Sequence, residues 1–180
     1  MIEVRLHGRG GQGAVTAAEL MAVAVTEDGR FAQAFPFFGV ERTGAPVQAF
    51  CRIDEKPVRV HQNVYAPDIV IVLDASLLPV VDVCSGLKKG GTVIVNTKKP
   101  KDEIALGGCS HGRVFTVDAT GIAHKRLGRP IVNTAMLGAF AKVTGLVHID
   151  ALKRAIRHRF SGELAEKNIA AIDECFASTA

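Results

Sequence analysis

The feature that most constrains the fold is an apolar run followed by a glycine-rich turn and an apolar helix at the start of the chain. The run IEVRLHG (2–8) stops at a glycine, and AVTAAELMAVAV (14–25) places Ala, Leu, Met and Val at helical spacing. Between them, Gly8, Gly10 and Gly13 have the spacing G-x-G-x-x-G. This order predicts a buried strand, a tight loop and a helix, a Rossmann-like start to an α/β domain.

The rest of the chain continues the α/β pattern. Pro36 interrupts the second predicted strand, FAQAFPFFG (31–39), so that strand suits a sheet edge or a strand end. VQAFCRI (47–53) and KPVRV (56–60) alternate in polarity around a DE turn, which predicts a β-hairpin. Continuous apolar runs predict strands at 68–74, 91–96 and 113–120 around a short helix or turn at 76–87, and helical spacing predicts helices at 131–145, 148–160 and 162–177.

These elements predict one fold class. The chain has 180 residues, 48% of them hydrophobic, which suffices for one well-buried core but not for two ordinary catalytic domains. Continuous apolar strands are typical of a parallel sheet covered on both faces. We therefore expect a single three-layer α/β/α domain over residues 1–180, with a mainly parallel sheet and an inserted β-hairpin.

Composition and charge exclude several classes of function. No apolar run approaches the ~20 residues of a membrane span, and the first residues lack the pattern of a secretory signal, so we expect a cytoplasmic protein without a membrane partner. Residues 91–180 hold 13 Lys and Arg against 8 Asp and Glu, which favours phosphate-bearing ligands or acidic partners. The basic residues form no long stripe and the chain has one Tyr and no Trp, so we expect no nucleic-acid binding.

Cysteine and histidine give no sign of a metal site. Cys51, Cys84, Cys109 and Cys175 are scattered without the close spacing of iron–sulfur or zinc ligands, so we expect free, packed thiols and no metal held by this chain alone. The six histidines have no neighbour in sequence that marks a catalytic dyad.

The glycine loop has three interpretations. A dinucleotide enzyme needs an acidic residue about 20 positions beyond the loop to hold the ribose. In this chain the first acid past the second strand is Glu41, about 28 positions after Gly13, which weakens that interpretation. The loop then either binds another phosphate-bearing ligand or serves close helix–sheet packing. Gln12 favours a ligand, because its amide is predicted to be available to an outside group.

A second notable stretch is FPFFGVERTGAPVQAF (35–50), in which three Phe residues run into a charged loop. As a group these residues resemble a partner surface that ends in a polar contact loop. Arg42 could hold a carboxylate or phosphate with both arms of its guanidinium, or it could pair with Glu41.

Four segments together carry a family resemblance: GRGGQGAVTAAELMA, FPFFGVERTGAPVQAFCRID, DIVIVLD and NTAMLGAFAKVTG. Their combination, over nearly the whole chain, resembles the gamma subunit of the 2-oxoacid:ferredoxin oxidoreductases. The form FFGVERTGAPVQAF is more similar to the pyruvate and branched-chain 2-oxoacid gamma subunits than to the 2-oxoglutarate ones. Thr43 departs from the family, whose members often carry a second Arg at this position.

The resemblance implies membership of an oxidoreductase complex that decarboxylates a 2-oxoacid to acyl-CoA and passes the electrons to ferredoxin. It implies thiamine diphosphate, Mg, iron–sulfur clusters and coenzyme A in the complex. It also implies alpha, beta and delta subunits as partners and a possible dimer of heteromers. The isolated chain is expected to be inactive and to pack beside the active site, on the coenzyme A side.

The expected cofactor-binding residues are the glycine loop and the charged loop: Gly8, Arg9, Gly10, Gly11, Gln12, Gly13, Glu41, Arg42, Thr43 and Gly44. No residue is expected to be catalytic. Asn133 and Thr134 are expected to cap the following helix. Two alternatives stay open: a free-standing nucleotide-binding enzyme, and a regulatory domain that binds coenzyme A or a related nucleotide.

Overall fold

A computed structural model describes residues 1–37, 43–60, 62–107, 109 and 112–180. These residues form six strands, all in one sheet, and five α-helices. The strands are β1 (Ile2–Arg9), β2 (Phe31–Pro36), β3 (Pro46–Asp54), β4 (Ile69–Val72), β5 (Thr92–Asn96) and β6 (Arg113–Val117). The helices are α1 (Ala14–Glu27), α2 (Ala119–Leu127), α3 (Ala135–Thr144), α4 (Ile149–Arg159) and α5 (Gly162–Ser178).

The sheet has the spatial order β2-β3-β1-β4-β5-β6. Strands β1, β4, β5 and β6 are parallel neighbours, whereas β3 pairs antiparallel with both β1 and β2. The α/β class, the mainly parallel sheet and the strand–glycine–helix start are confirmed. β2 ends at Pro36 on the sheet edge, as predicted, where the missing N–H interrupts no inner ladder.

The larger apolar core lies on the face of the sheet that the helices cover. Val4 and Leu6 of β1 are fully buried in it, together with Ile71 and Ile94 of the next two strands. All five helices contribute buried residues to this one cluster. The alternate residues of β1, Arg5 and His7, are also buried and face the other side of the sheet.

The second face is covered by irregular chain and short turns. Val70, Val72, Val93 and Val95 form a smaller cluster there with Val83, Cys84 and Cys109, which come from the connections after β4 and β5. β4 and β5 are therefore buried on both sides, as their continuous apolar sequences predict.

Arg52 anchors the chain that follows β3. Its side chain is fully buried, pairs with Glu3 at 2.9 Å, and donates to the carbonyl oxygens of Val60 at 3.1 Å and Gln62 at 2.6 Å. The predicted hairpin between 47–53 and 56–60 is therefore wrong. The carbonyl oxygens of residues 60 and 62 accept from the Arg52 guanidinium and make no β-ladder hydrogen bonds with the described residues. The inserted antiparallel pair is formed by β3 and β2.

Two further expectations need correction. The strand predicted at 113–120 ends at Val117, and helix α2 begins at Ala119. Asp118 caps the start of this helix by accepting from the Gly121 N–H at 2.8 Å, and Gly128 ends it at φ 68°.

The expectation of four free thiols is wrong for Cys84 and Cys109, which are joined as a disulfide with Cα atoms 5.4 Å apart. Cys51 and Cys175 are free and buried.

The crossing of α3 and α5 gives a stability prediction. A Cβ at Gly138 would collide with the carbonyl oxygen of Ile172. Gly138→Ala should therefore lower the free energy of unfolding by about 1–3 kcal/mol through overpacking, despite the ~1 kcal/mol that Ala normally contributes to a helix. Thermal and denaturant unfolding measure this change.

Gly107→Ala is the matched control, because a Cβ there meets nothing within 4 Å. Its unfolding free energy should stay within about 0.5 kcal/mol of the parent value. A Gly138→Ala protein as stable as the parent would contradict the close packing of the two helices.

Candidate functional site

The carboxyl ends of the parallel strands gather polar residues along one edge of the sheet. Arg9 ends β1, Asp74 follows β4, Asn96 ends β5 and Asp118 follows β6. Ligands of open α/β sheets bind outside this edge. The glycine loop leaves the same edge and leads directly into α1, so this edge is the candidate site.

Two glycines of the loop adopt backbone conformations that other residues avoid. Gly11 has φ 93° and Gly13, the residue before α1, has φ 76°. A Cβ on Gly13 would also collide with the side-chain amide of Asn133. The glycines therefore serve both a tight turn and close packing against the start of α3.

The side chain of Gln12 stabilises the glycine loop through two hydrogen bonds within the chain. Its Oε1 accepts from the Arg9 N–H at 2.7 Å, and its Nε2 donates to Asp74 Oδ2 at 2.8 Å. The expectation that Gln12 is free for an outside group is wrong, because both ends of its amide are bound within the chain. Gln12 instead connects the carboxyl ends of β1 and β4.

Asp74 is the acceptor at the centre of this network. Its carboxylate also accepts from the Ser76 N–H at 2.9 Å and lies 3.4 Å from Arg9 Nε. Burial alone would raise the pKa of Asp74, but the hydrogen bonds from Ser76 and Gln12, with the nearby Arg9 charge, lower it below its usual value. Asp74 thus stays ionised and holds the loop at neutral pH.

Arg9 connects the glycine loop to the Thr43–Gly44 turn. Its Nη1 donates to the Gly44 carbonyl at 3.0 Å, while Nε and Nη2 donate to Ser76 Oγ at 3.0 and 2.8 Å. The backbones also meet, with Gly10 N–H donating to the Ala45 carbonyl at 2.8 Å. The structure therefore brings the glycine loop and the residues at 43–44 together. Glu41 and Arg42 lie outside the described residues.

An open pocket of about 430 Å³ lies between the two segments. It is lined by Arg9, Gly10, Gly11 and Gly13 of the glycine loop, by Ala14 and Val15 in the first turn of α1, and by Thr43 and Val47. Within the described part of the chain, no acceptor binds the N–H groups of Ala14 and Val15, and Gly13 supplies no capping side chain. Free N–H groups at the positive end of a helix form an anion-binding surface.

Besides Gln12, the roles of three residues in this region differ from those that the sequence predicts. Asp74 and Ser76 were not singled out, although an acid directly after a buried strand at the carboxyl edge is a usable signal. The capping role expected of Asn133 and Thr134 is wrong for Thr134, whose hydroxyl donates to Asn168 Oδ1 at 2.6 Å. Asn133 donates to the Gly13 carbonyl at 3.3 Å and accepts from the Thr134 N–H at 2.9 Å.

His7 and Arg5 lie buried below the loop on the second face of the sheet. Arg5 Nε donates to His7 Nε2 at 3.0 Å, and its Nη2 donates to the carbonyls of Val83 and Ser85. Burial, and then the Arg5 charge, lower the pKa of His7 to about 3. His7 is therefore a neutral acceptor in the folded protein at any physiological pH.

The described residues contain no group of three or more His, Cys, Asp and Glu side chains placed to hold a metal ion. They thus do not fit an iron–sulfur cluster or a magnesium ion held by this chain's own side chains. In the same part of the chain, no helix has the length and apolar character that a membrane crossing requires.

Comparison with known proteins identifies the family. Residues 3–178 match the family described as pyruvate ferredoxin/flavodoxin oxidoreductase. The chain is 58% identical to the pyruvate/ketoisovalerate oxidoreductases common subunit gamma of Thermococcus kodakarensis, over 99% of this chain and 97% of that protein. It is 61% identical to the pyruvate synthase subunit PorC of Methanothermobacter thermautotrophicus, over 93% and 90% of the two chains.

A solved structure agrees with these sequences. The crystal structure of the pyruvate oxidoreductase subunit PORC from Thermotoga maritima has a TM-score of 0.89 and 38% identity, over 99% of this chain and 97% of that one. The chain belongs to the pyruvate ferredoxin/flavodoxin oxidoreductase family. Within that family it is a subunit of the gamma type, as its resemblance implied, and so a component of an oxidoreductase.

The buried His7 gives a prediction for the pH dependence of stability. The unfolded chain protonates histidine near its ordinary pKa of 6.5, whereas folded His7 stays neutral down to about pH 3. The stability that this site contributes is therefore lost as pH falls below 6.5, by about 2 kcal/mol between pH 7 and pH 5. His7→Gln keeps an acceptor for Arg5. Its unfolding free energy should therefore fall by about 2 kcal/mol less than that of the parent between pH 7 and pH 5.

Denaturant unfolding at pH 7 and pH 5 measures the difference. His124→Gln, at an exposed position on α2, is the control and should keep the acid loss of the parent. Equal acid losses in the parent and the His7→Gln protein would contradict a neutral buried His7.

Proposed function

We propose that this chain is the gamma subunit of a thiamine-diphosphate-dependent enzyme that oxidises pyruvate and 2-oxoisovalerate to acyl-CoA, with ferredoxin as the electron acceptor. The names of the gamma-subunit relatives, which cover nearly its whole length, support the two substrates. The proposed partners are alpha, beta and delta subunits in the cytoplasm, assembled as a dimer of heteromers. Thiamine diphosphate, Mg and the iron–sulfur clusters are assigned to those subunits.

The proposed task of this chain is to hold coenzyme A beside the active site. The observation that carries this proposal is the pocket between the glycine loop and Thr43, which is lined by Ala14 and Val15, whose N–H groups have no acceptor among the described residues. Coenzyme A carries a diphosphate, and a helix N-terminus with unpaired N–H groups suits such an anion. In this proposal Arg42 provides a further contact to a phosphate, a carboxylate or a partner residue.

The chemistry of the remaining residues agrees with a positioning role. The Arg9 guanidinium donates hydrogen bonds to Ser76 and Gly44. The Gln12 amide accepts from the Arg9 N–H and donates to Asp74. These groups hold the two sides of the pocket at a fixed separation, so that the N–H groups of α1 need no rearrangement to receive an anion. The described residues include no group placed as a nucleophile or general base, and we propose that the isolated chain is inactive.

Thr43→Asp tests this proposal in the assembled enzyme. Thr43 is exposed and lines the pocket, so a carboxylate there should repel the phosphates of coenzyme A. We expect the KM for coenzyme A to rise about tenfold or more, equivalent to at least ~1.4 kcal/mol, while the KM for pyruvate stays the same. Steady-state assays of the chain reconstituted with its partner subunits measure both constants.

Thr43→Asn is the matched control, since it has the same shape as Asp without the charge, and it should leave both constants close to those of the parent. Unchanged coenzyme A kinetics in Thr43→Asp would overturn the assignment of the pocket. Reduction of NAD(P) by the isolated chain with a small substrate would overturn the proposed function as a whole.

A further inference from the structure

A second groove also borders the first turn of α1 and shares no lining residue with the glycine-loop pocket. It is open, has a volume of about 560 Å³, and is bounded by α1, the α2–α3 connection and the α4–α5 junction. The glycine-loop pocket is lined by Ala14 and Val15, whereas this groove is lined by Thr16 and, across from it, by Asn133. Neither the glycine loop nor Thr43 contributes to it.

Apolar side chains form much of the groove wall. Leu127, Ile131, Phe160 and Leu164 all line it; the first two lie at the end of α2 and after it, and the last two lie at the α4–α5 junction. Ile131 is 46% exposed and Leu164 is 51% exposed, although both are large aliphatic residues. Exposed apolar side chains bordered by charges suit contact with an amphipathic partner.

The cations of the groove differ from those elsewhere on the same helices. Outside the groove, Arg126 pairs with Glu174, Arg154 with Glu27 and Arg157 with Glu166. Arg129 and Arg159 both line the groove, and no described residue provides either with an acid or another hydrogen-bond acceptor.

The third cation of the groove is already compensated. Lys167 pairs with Glu163 at 2.8 Å, one helical turn away on α5. Among the described residues, the groove therefore presents the net charge of the Arg129 and Arg159 guanidiniums. Acidic groups on an incoming molecule would complete the pattern of ion pairs that the neighbouring helices already show.

The two side-chain amides that line the groove are engaged within the chain. Asn133 bonds with Gly13 and Thr134, and Asn168 accepts from Thr134 and donates to the Leu164 carbonyl at 2.8 Å. Both ends of each buried amide are thus in use. Besides the Thr16 hydroxyl, the groove offers a guest apolar contact and two guanidiniums, which suits an amphipathic peptide better than a nucleotide that must be recognised by hydrogen bonds.

We propose that this groove is the docking surface for an acidic segment of another subunit of the same enzyme, anchored by apolar side chains. A second copy of this chain is disfavoured, because a symmetric pairing would bring the uncompensated guanidiniums of both copies together. The proposal rests on membership of a multi-subunit oxidoreductase. It adds to that function the place and the chemistry of one subunit contact.

The test is charge reversal at the rim of the groove, in the full chain with its partner subunits. The double substitution Arg129→Glu and Arg159→Glu should weaken binding of the partner subunits about tenfold or more and should lower the salt sensitivity of assembly. The control is Lys56→Glu, which reverses one positive charge at an exposed position in the turn after β3. This variant should assemble normally. Equal melting temperatures show that the variants fold.

A photo-crosslinking residue in place of Leu164 identifies the occupant within the assembled enzyme. A crosslink to an acidic, apolar segment of another subunit supports the proposal. A crosslink to a second copy of this chain, or normal assembly of the double variant, overturns it. Binding of inorganic phosphate or coenzyme A to the full chain alone, abolished by the same double substitution, also overturns it, in favour of a small anion.

These outcomes are separate from those of the coenzyme A proposal. A failed coenzyme A proposal would leave the Thr43→Asp enzyme assembled with normal coenzyme A kinetics. A failed docking proposal would leave the groove variant assembled, whatever its coenzyme A kinetics.

Discussion

The hydrogen bonds of Gln12 are the interaction on which the candidate site depends. One end of the amide holds the backbone of Arg9 at the end of β1, and the other end holds the carboxylate of Asp74 after β4. Through Asp74 and Ser76 the same network reaches the Arg9 guanidinium, which in turn holds the Gly44 carbonyl. The shape of the pocket is therefore set by internal bonds, and the N–H groups in its lining that no described residue binds lie on α1.

This arrangement explains why a dinucleotide-like spacing occurs in a chain without the acid that dinucleotide enzymes use. The glycines are needed for their positive φ at Gly11 and Gly13 and for the contact with Asn133. These demands come from the turn and from packing, and they hold for any ligand. The G-x-G-x-x-G spacing alone therefore indicates a strand–turn–helix unit that can receive an anion, and the identity of the ligand depends on the segments around it.

Local sequence predicted the elements whose structure depends on local patterns. β1, α1, β4, β5, α4 and α5 lie close to their expected positions, because their apolar spacing decides both the element and the buried face. The predicted strand at 56–60 is wrong because the guanidinium of Arg52, a residue of the predicted partner strand, binds the Val60 carbonyl that a ladder would use. Helix α2 was not predicted, although Asp118 and Gly128 are ordinary signals for a helix start and end. The predicted strand at 113–120 included Asp118 and the first helical residues.

The candidate site was only partly predictable for the same reason. The meeting of the glycine loop with residues 43–44 depends on antiparallel pairing of β1 with β3, which places Arg9 opposite Pro46. The roles of Gln12 and Asn133 depend on Asp74 and Gly13, which only the folded chain brings near them. A side chain's availability to a ligand is a property of its neighbours in space, and sequence neighbours do not reveal it.

The proposed role of the first turn of α1 is to receive the phosphates of coenzyme A. A structure of the assembled enzyme with coenzyme A bound tests it directly. We predict diphosphate oxygens within about 3 Å of the backbone nitrogens of Ala14 or Val15, with the Gln12–Asp74 bond intact. Coenzyme A phosphates held wholly by other subunits, with this pocket filled by a partner side chain, would contradict the claim.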